Sequence, residues 1–160
     1  MPQASVVTSS TAASSHAAPP KCVCSWEAGG SDAAWVHVSG ELDHATSPQL
    51  RQTVHDAQLH ALLVVLDLRE VTFMESSAMH VILDAASDLR RTGGRLILVR
   101  GPAHVDRALT LTGACDELEI FDLAPNEPPA QVLLQLAQRS EHGMSQRPLL
   151  PSWSCRRTSG

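Results

Sequence analysis

A chain of 160 residues, 43% of them apolar, has room for one ordinary domain with a real core plus tails; with two Phe, three Trp and no Tyr that core must be aliphatic. A formal net charge of -5 argues against the basic stripe of a nucleic-acid-binding domain, and the scarcity of aromatic rings in the middle of the chain argues against a base-stacking platform. The longest apolar run, residues 61–66, is strand-sized against the roughly 18 residues that span a bilayer, and the N-terminus lacks the basic start and apolar stretch of a secretory signal, so a cytoplasmic protein without direct membrane insertion is expected.

Residues 1–20 are dominated by Ser, Thr, Ala and Pro and read as a disordered leader with little that can pack. Residues 22–26 and 34–39 are two extended segments separated by Ala28-Gly29-Gly30-Ser31-Asp32, a spacing that suits a hairpin with a somewhat long loop. Trp35, His37 and Ser39 alternate with Val36 and Val38, which predicts one buried face and makes His37 an outward residue with no ligand role. Cys22-Val23-Cys24 offers two thiolates, but alternate residues of a strand explain the pair more simply. With Cys115 and Cys155 they lack the paired spacing of a zinc site. No metal and no cofactor are expected.

Glu41 and Asp43 fall in a loop after the second strand, where a charged pair stays solvated. Ser47 followed by Pro48 is a helix-start signal, a capping hydroxyl and then a ring whose fixed φ suits the first turn; Leu50, Val54 and Ala57 continue a first helix over about 48–59. Residues 61–68 are continuously apolar and β-rich, as in a central strand covered on both faces. A short, partly apolar loop leads to a second helix, in which Met79, Ile82, Leu83, Ala86, Leu89 and Arg90 follow helical spacing. It stops at Thr92-Gly93-Gly94, where glycine supplies the left-handed cap. Residues 95–99 form the next buried strand. Gly101-Pro102 opens a third helix through Val105, Ala108, Leu109 and Leu111, closed by Gly113, and residues 118–121 make a short edge strand. After Pro125, Pro128 and Pro129, residues 130–138 carry a final helix. Residues 140–160, with Trp153 and Cys155, read as a flexible tail. The expectation is one α/β domain over 21–139, with a mixed, mostly parallel sheet, an N-terminal hairpin and about four helices.

The junction Phe73-Met74-Glu75-Ser76-Ser77-Ala78-Met79-His80 is the chemically informative stretch. A hydroxyl at a helix start lies beside unpaired backbone N–H groups and the positive end of the helix dipole, so a phosphate there is stabilised and the serine itself can carry it. The same serine read as a helix N-cap is worth roughly 1 kcal/mol and needs no partner.

Taken together, Gly40-Glu41-Leu42-Asp43 before a Pro-started helix, Leu66-Asp67-Leu68 leading to Phe73-Met74-Glu75-Ser76-Ser77, Gly93-Gly94-Arg95-Leu96 and Leu111-Thr112-Gly113 resemble a STAS domain, and specifically the bacterial anti-sigma factor antagonists. The resemblance implies partner switching. The unphosphorylated domain binds an anti-sigma factor that is also a serine kinase, phosphorylation ends that binding, and a PP2C-type phosphatase restores it. It puts the phosphorylated serine at Ser76, with Ser77 as the alternative, and Asp43 near it in kinase recognition. The implied partner-binding set is Glu41, Asp43, Glu75, Ser76, Ser77, Ala78, Met79 and His80. Where the family typically has Asp-Ser-Ser-Gly-Leu-Gly, this chain has Glu75-Ser76-Ser77-Ala78-Met79-His80, so Ala78 and His80 add side chains where a partner would approach.

Two rivals are weaker. Ser76 and His80, one helical turn apart, have the residue types of a nucleophile and base, but the chain lacks the Gly-x-Ser-x-Gly elbow and a base on the same helix is a poor match to a hydrolase triad; no enzyme is expected. STAS domains also serve as non-catalytic modules of transport, lipid-trafficking or sensory complexes, and the Ala78-Met79-His80 departure would suit such a partner.

Overall fold

Alternation along the strands sets the layers of this molecule. The computed structural model describes residues 20–30 and 32–142. Five strands, β1 (Cys22–Gly30), β2 (Ala33–Leu42), β3 (Leu63–Met74), β4 (Arg95–Val99) and β5 (Glu119–Phe121), lie in the spatial order of the sequence. β1 and β2 are antiparallel and every other neighbour is parallel. This is the expected mixed sheet with an N-terminal hairpin. Helices α1 (Ser47–Gln58), α2 (Ser76–Arg91) and α3 (Ala103–Leu111) make the three parallel crossovers, and α4 (Gln131–His142) follows β5.

Because each crossover steps one strand in the same direction with the same hand, α1, α2 and α3 are stacked on one face. There Val36, Val38, Leu66, Leu68 and Leu98 meet Leu50 and Val54 of α1, Met79, Ile82 and Leu89 of α2, and Val105 and Leu109 of α3. The alternate strand residues Trp35, Val65, Ile97, Val99 and Phe121 form a second cluster on the opposite face, where α4 covers them with Val132, Leu133 and Leu136. The expectation of one buried face for β2 therefore needs correction. Trp35 is buried too, because α4 supplies a second layer, while His37 stays part-exposed and lies 3.3 Å from Glu27. Cys22 and Cys24 are buried neighbours on the α1 side, with sulfurs 3.4 Å apart, as alternate residues of a strand.

Other boundaries differ for identifiable reasons. β1 runs on through Gly29 and Gly30, so the hairpin connection is tighter than the five residues expected. β3 does not end near Leu68; residues 69–74, expected as loop, pair with β2 from Ser39↔Glu70 to Leu42↔Met74. Register shifts interrupt that pairing, so Leu68 and Val71 both enter the same core, and a bulge of this kind erases the period-2 signal that marks a strand. β2 likewise extends to Leu42, placing Glu41 in a strand and only Asp43 in the loop. Gly40, at φ +92, lies where an added Cβ would sit 2.1 Å from the Lys21 carbonyl oxygen, so the glycine of the Gly40-Glu41-Leu42-Asp43 motif serves the backbone turn rather than a partner. α2 closes as expected: Gly93 N–H bonds to the Arg90 carbonyl and Gly94 N–H to that of Leu89, with Gly93 at φ +82, the paired pattern of a Schellman cap. Leu111, expected in the apolar stripe of α3, is exposed, and Arg90 of α2 is exposed.

The segment leading to α4 is tied to the sheet by one side chain. Arg69 is ion-paired with the buried Asp67 at 2.7 Å and donates through Nη1 to the carbonyl oxygens of Ala124 and Glu127. Asp67 keeps that guanidinium protonated more firmly than usual by its hydrogen bonds. The expected leader up to residue 19 and the tail beyond residue 142, with Trp153 and Cys155, lie outside the described residues; residues 140–142 belong to α4.

Candidate functional site

β2 and β3 are parallel and end side by side at Leu42↔Met74, so the helices that follow them start side by side. The two exits are stitched together. Glu75 N–H donates to the Leu42 carbonyl at 2.8 Å, and His44 N–H donates to the Glu75 carboxylate at 3.0 Å. A compact turn precedes α1. Asp43 N–H donates to Thr46 Oγ1 at 2.8 Å, Thr46 N–H returns to Asp43 Oδ1 at 2.9 Å, and Thr46 Oγ1 donates to the Glu41 carbonyl at 2.8 Å. The Thr46 N–H bond first, then the Thr46 hydroxyl and Lys21 at 3.7 Å, outweigh desolvation and hold the Asp43 carboxyl below its ordinary value of 3.8.

Helix starts differ by one residue from expectation. α1 begins at Ser47 with Thr46 in the cap position; Ser47 is the first helical residue and its hydroxyl donates to the Asp43 carbonyl at 2.6 Å. α2 begins at Ser76 with Glu75 in the cap position, in extended conformation and without a side-chain cap bond. The reading of Ser76 as N-cap is thereby corrected: the Glu75 carboxylate is spent across the junction on His44, and Ser76 is the first residue inside the helix. Its hydroxyl is exposed and makes no hydrogen bond within the described residues. Ser77, half-buried, lies 3.2 Å from Ser47 Oγ.

Of the residues expected at a contact surface, Glu41, Glu75, Ser76 and His80 are exposed, and Asp43 and Ser77 are partly so. Ala78 and Met79 are not at the surface. They are 0% and 1% exposed because the face of α2 carrying Ala78, Met79, Ile82, Ala85, Ala86 and Leu89 is the one turned to the sheet. Phe73, paired with Glu41 and 46% exposed, adds an apolar ring to the same rim.

Sequence reasoning missed the α1 side of the site. His44, Ser47, Pro48, Arg51 and Gln52 face Ser77, His80 and Val81 across an open groove of about 550 Å³. The Asp43-x-x-Thr46 spacing was the available signal, since an Asp or Thr three residues from its partner commonly closes a turn before a helix. No group of three metal-ligating side chains occurs among the described residues, and no described helix is long and apolar enough to cross a membrane.

Comparison with known proteins extends this geometry. The profile of the STAS domain family matches residues 28–125. The anti-sigma F factor antagonist of Paenibacillus polymyxa is 33% identical over 89 residues, covering 54% of this chain and 76% of the relative. The anti-sigma-B factor antagonist of Listeria monocytogenes is 30% identical over 86 residues, covering 53% and 75%. Among solved structures, the anti-sigma factor antagonist SpoIIAA in its unphosphorylated form has the same fold, with a TM-score of 0.58 at 19% identity over 78% of this chain and 100% of that one.

Proposed function

Because the chain belongs to the STAS domain family, we propose that it works as an anti-sigma factor antagonist, binding an anti-sigma factor that is also a serine kinase while Ser76 is unmodified and leaving it once that serine is phosphorylated. A PP2C-type phosphatase would reset the cycle. The observation that carries this reading is the Ser76 hydroxyl, exposed and unbonded at the first residue of α2, on a rim with Glu41, Glu75 and Phe73. The chain acts here by binding and not as an enzyme; His80 is one turn from Ser76, but no hydrogen bond or ion pair among the described residues orients it as a base.

Phosphorylation brings about -1.5 to -2 charges onto a rim that already holds Glu41, Asp43 and Glu75. An interface fitted to a neutral hydroxyl is then lost to like-charge repulsion and to the cost of desolvating the phosphate. Ser76 is exposed, so its modification leaves the core in place.

The test is affinity purification of the wild type and Ser76→Asp from the native cells, with co-purifying proteins and phosphosites identified by mass spectrometry. A kinase-like anti-sigma factor retained by the wild type and lost from Ser76→Asp, together with phosphate on Ser76, is the expected result. Transport or sensory components recovered equally with both, and no phosphate on Ser76 or Ser77, would replace this reading with that of a passive STAS binding module.

A further inference from the structure

The two sides of Ser76 differ in charge. Toward the β2–β3 rim lie the carboxylates Glu41, Asp43 and Glu75. Toward α1, beyond the neighbouring Ser77 that lines it, lies the groove, whose other lining residues include three basic side chains, His44, Arg51 and His80, and no acidic one, in a chain with 17 acidic residues against 12 Lys and Arg. A dianion on Ser76 is pushed from the first side and drawn to the second.

The reach is short. Ser76 and His80 are four residues apart on α2, and such pairs are surface neighbours with Cβ atoms about 5–6 Å apart. Arg51 projects from the opposite bank of the groove. Among the described residues it is ion-paired with Asp84 at 3.7 Å, with both side chains about 60% exposed, a pair of the kind that contributes little. A guanidinium so loosely held exchanges a monoanionic carboxylate for a phosphate dianion, which it can grip with two N–H donors.

We propose that Arg51 and His80 are the receptor for the phosphoryl group on Ser76, holding it in the groove between α1 and α2. Phosphorylation then does two things in this chain: it charges the rim, and it fills the groove beside it, linking the two helices. The proposal rests on the phosphoacceptor reading of Ser76 and adds to it where the phosphate goes. Other charged groups nearby are His44 in the groove lining, Glu75 on the rim, and Asp84 and His55 in the adjoining pocket between α1 and α2; Glu75 and Asp84 oppose capture and the remainder favour it.

The test installs phosphoserine at position 76 of the full chain by genetic encoding and follows its second ionisation by phosphorus-31 NMR, in the folded protein and in urea. Capture lowers the folded midpoint relative to the unfolded one by about half a pH unit or more, roughly a threefold change in acid dissociation constant, and the double substitution Arg51→Gln, His80→Gln abolishes most of that difference. An unchanged midpoint overturns the proposal. So does a lowered midpoint that survives the double substitution, since the backbone of the helix start would then be the receptor. Both side chains are exposed, so unmodified variants melt like the wild type; if the double variant does not, the two single variants read the two arms separately. No kinase enters this experiment, so its failure leaves the phosphoacceptor reading standing, and failure to find a kinase in cells leaves this result standing.

Discussion

Asp43 shows how much of this site is held by backbone chemistry. Its carboxylate accepts the Thr46 N–H and hydroxyl, and its ionisation lies below the ordinary value of 3.8 for that reason. A carboxyl lowered on folding adds stability above its unfolded pKa and loses it as pH falls through the folded value. Asp43→Asn is therefore expected to melt below the wild type at pH 7 and to converge with it as pH falls through the lowered folded value, a comparison that thermal unfolding across pH reads directly. At this scale the place of Ser76 at the start of α2 was legible, because Glu-Ser-Ser between an apolar strand and an amphipathic helix is a local pattern. Ser76 as a cap was not, because Glu75 takes the cap position and turns its side chain to His44, a residue 31 positions earlier. His44 and Arg51 carried no signal as site residues; only the pairing of β2 with β3 brings α1 beside α2.

Elements were legible where their periodicity ran uninterrupted. α2 shows a continuous 3.6-residue pattern, and its burial follows it except at the exposed Arg90. The second half of β3 is hidden by its bulges, while Met79 stands both in the apolar stripe of α2 and in the expected contact set and Ala78 in the contact set alone; the helix face turned to the sheet buries both. The segment before α4 has no regular structure of its own, and Arg69 replaces that with two hydrogen bonds to its carbonyl oxygens. Arg69→Ala leaves Asp67 buried without its counter-ion and frees those carbonyls. A loss of about 2–3 kcal/mol is expected, measured by urea unfolding, with faster amide exchange at residues 124–127 as the local signature.

At the scale of the molecule, the mixed, mostly parallel sheet followed from a hairpin and then strands alternating with helices, while the second core did not. Residues 130–138 read as amphipathic, but that their apolar side lies against Trp35, Val65 and Ile97 is a long-range fact that no local pattern encodes. It follows from the topology. With α1, α2 and α3 on one face, the other face of a continuously apolar strand would be open to water unless the chain returned to cover it.

That return has a consequence in time. From β2 to β5 each strand pairs with the strand just before it, so this part of the fold can close stepwise as the chain leaves the ribosome. α4 cannot join in, since its anchors lie far back along the chain: the Arg69 bonds alone join residues 55 and 58 positions apart. Closing so long a loop is entropically costly until both faces of the sheet exist. Val132, the wholly buried residue by which α4 meets the sheet, then belongs to the last step. Val132→Ala is expected to cost about 2 kcal/mol and to show in stopped-flow kinetics almost wholly as faster unfolding, with the folding rate little changed. Until that step is complete the nascent protein would present Trp35, Ile97 and Phe121 to its surroundings, and its aggregation in the cell would be decided by how quickly the final helix emerges.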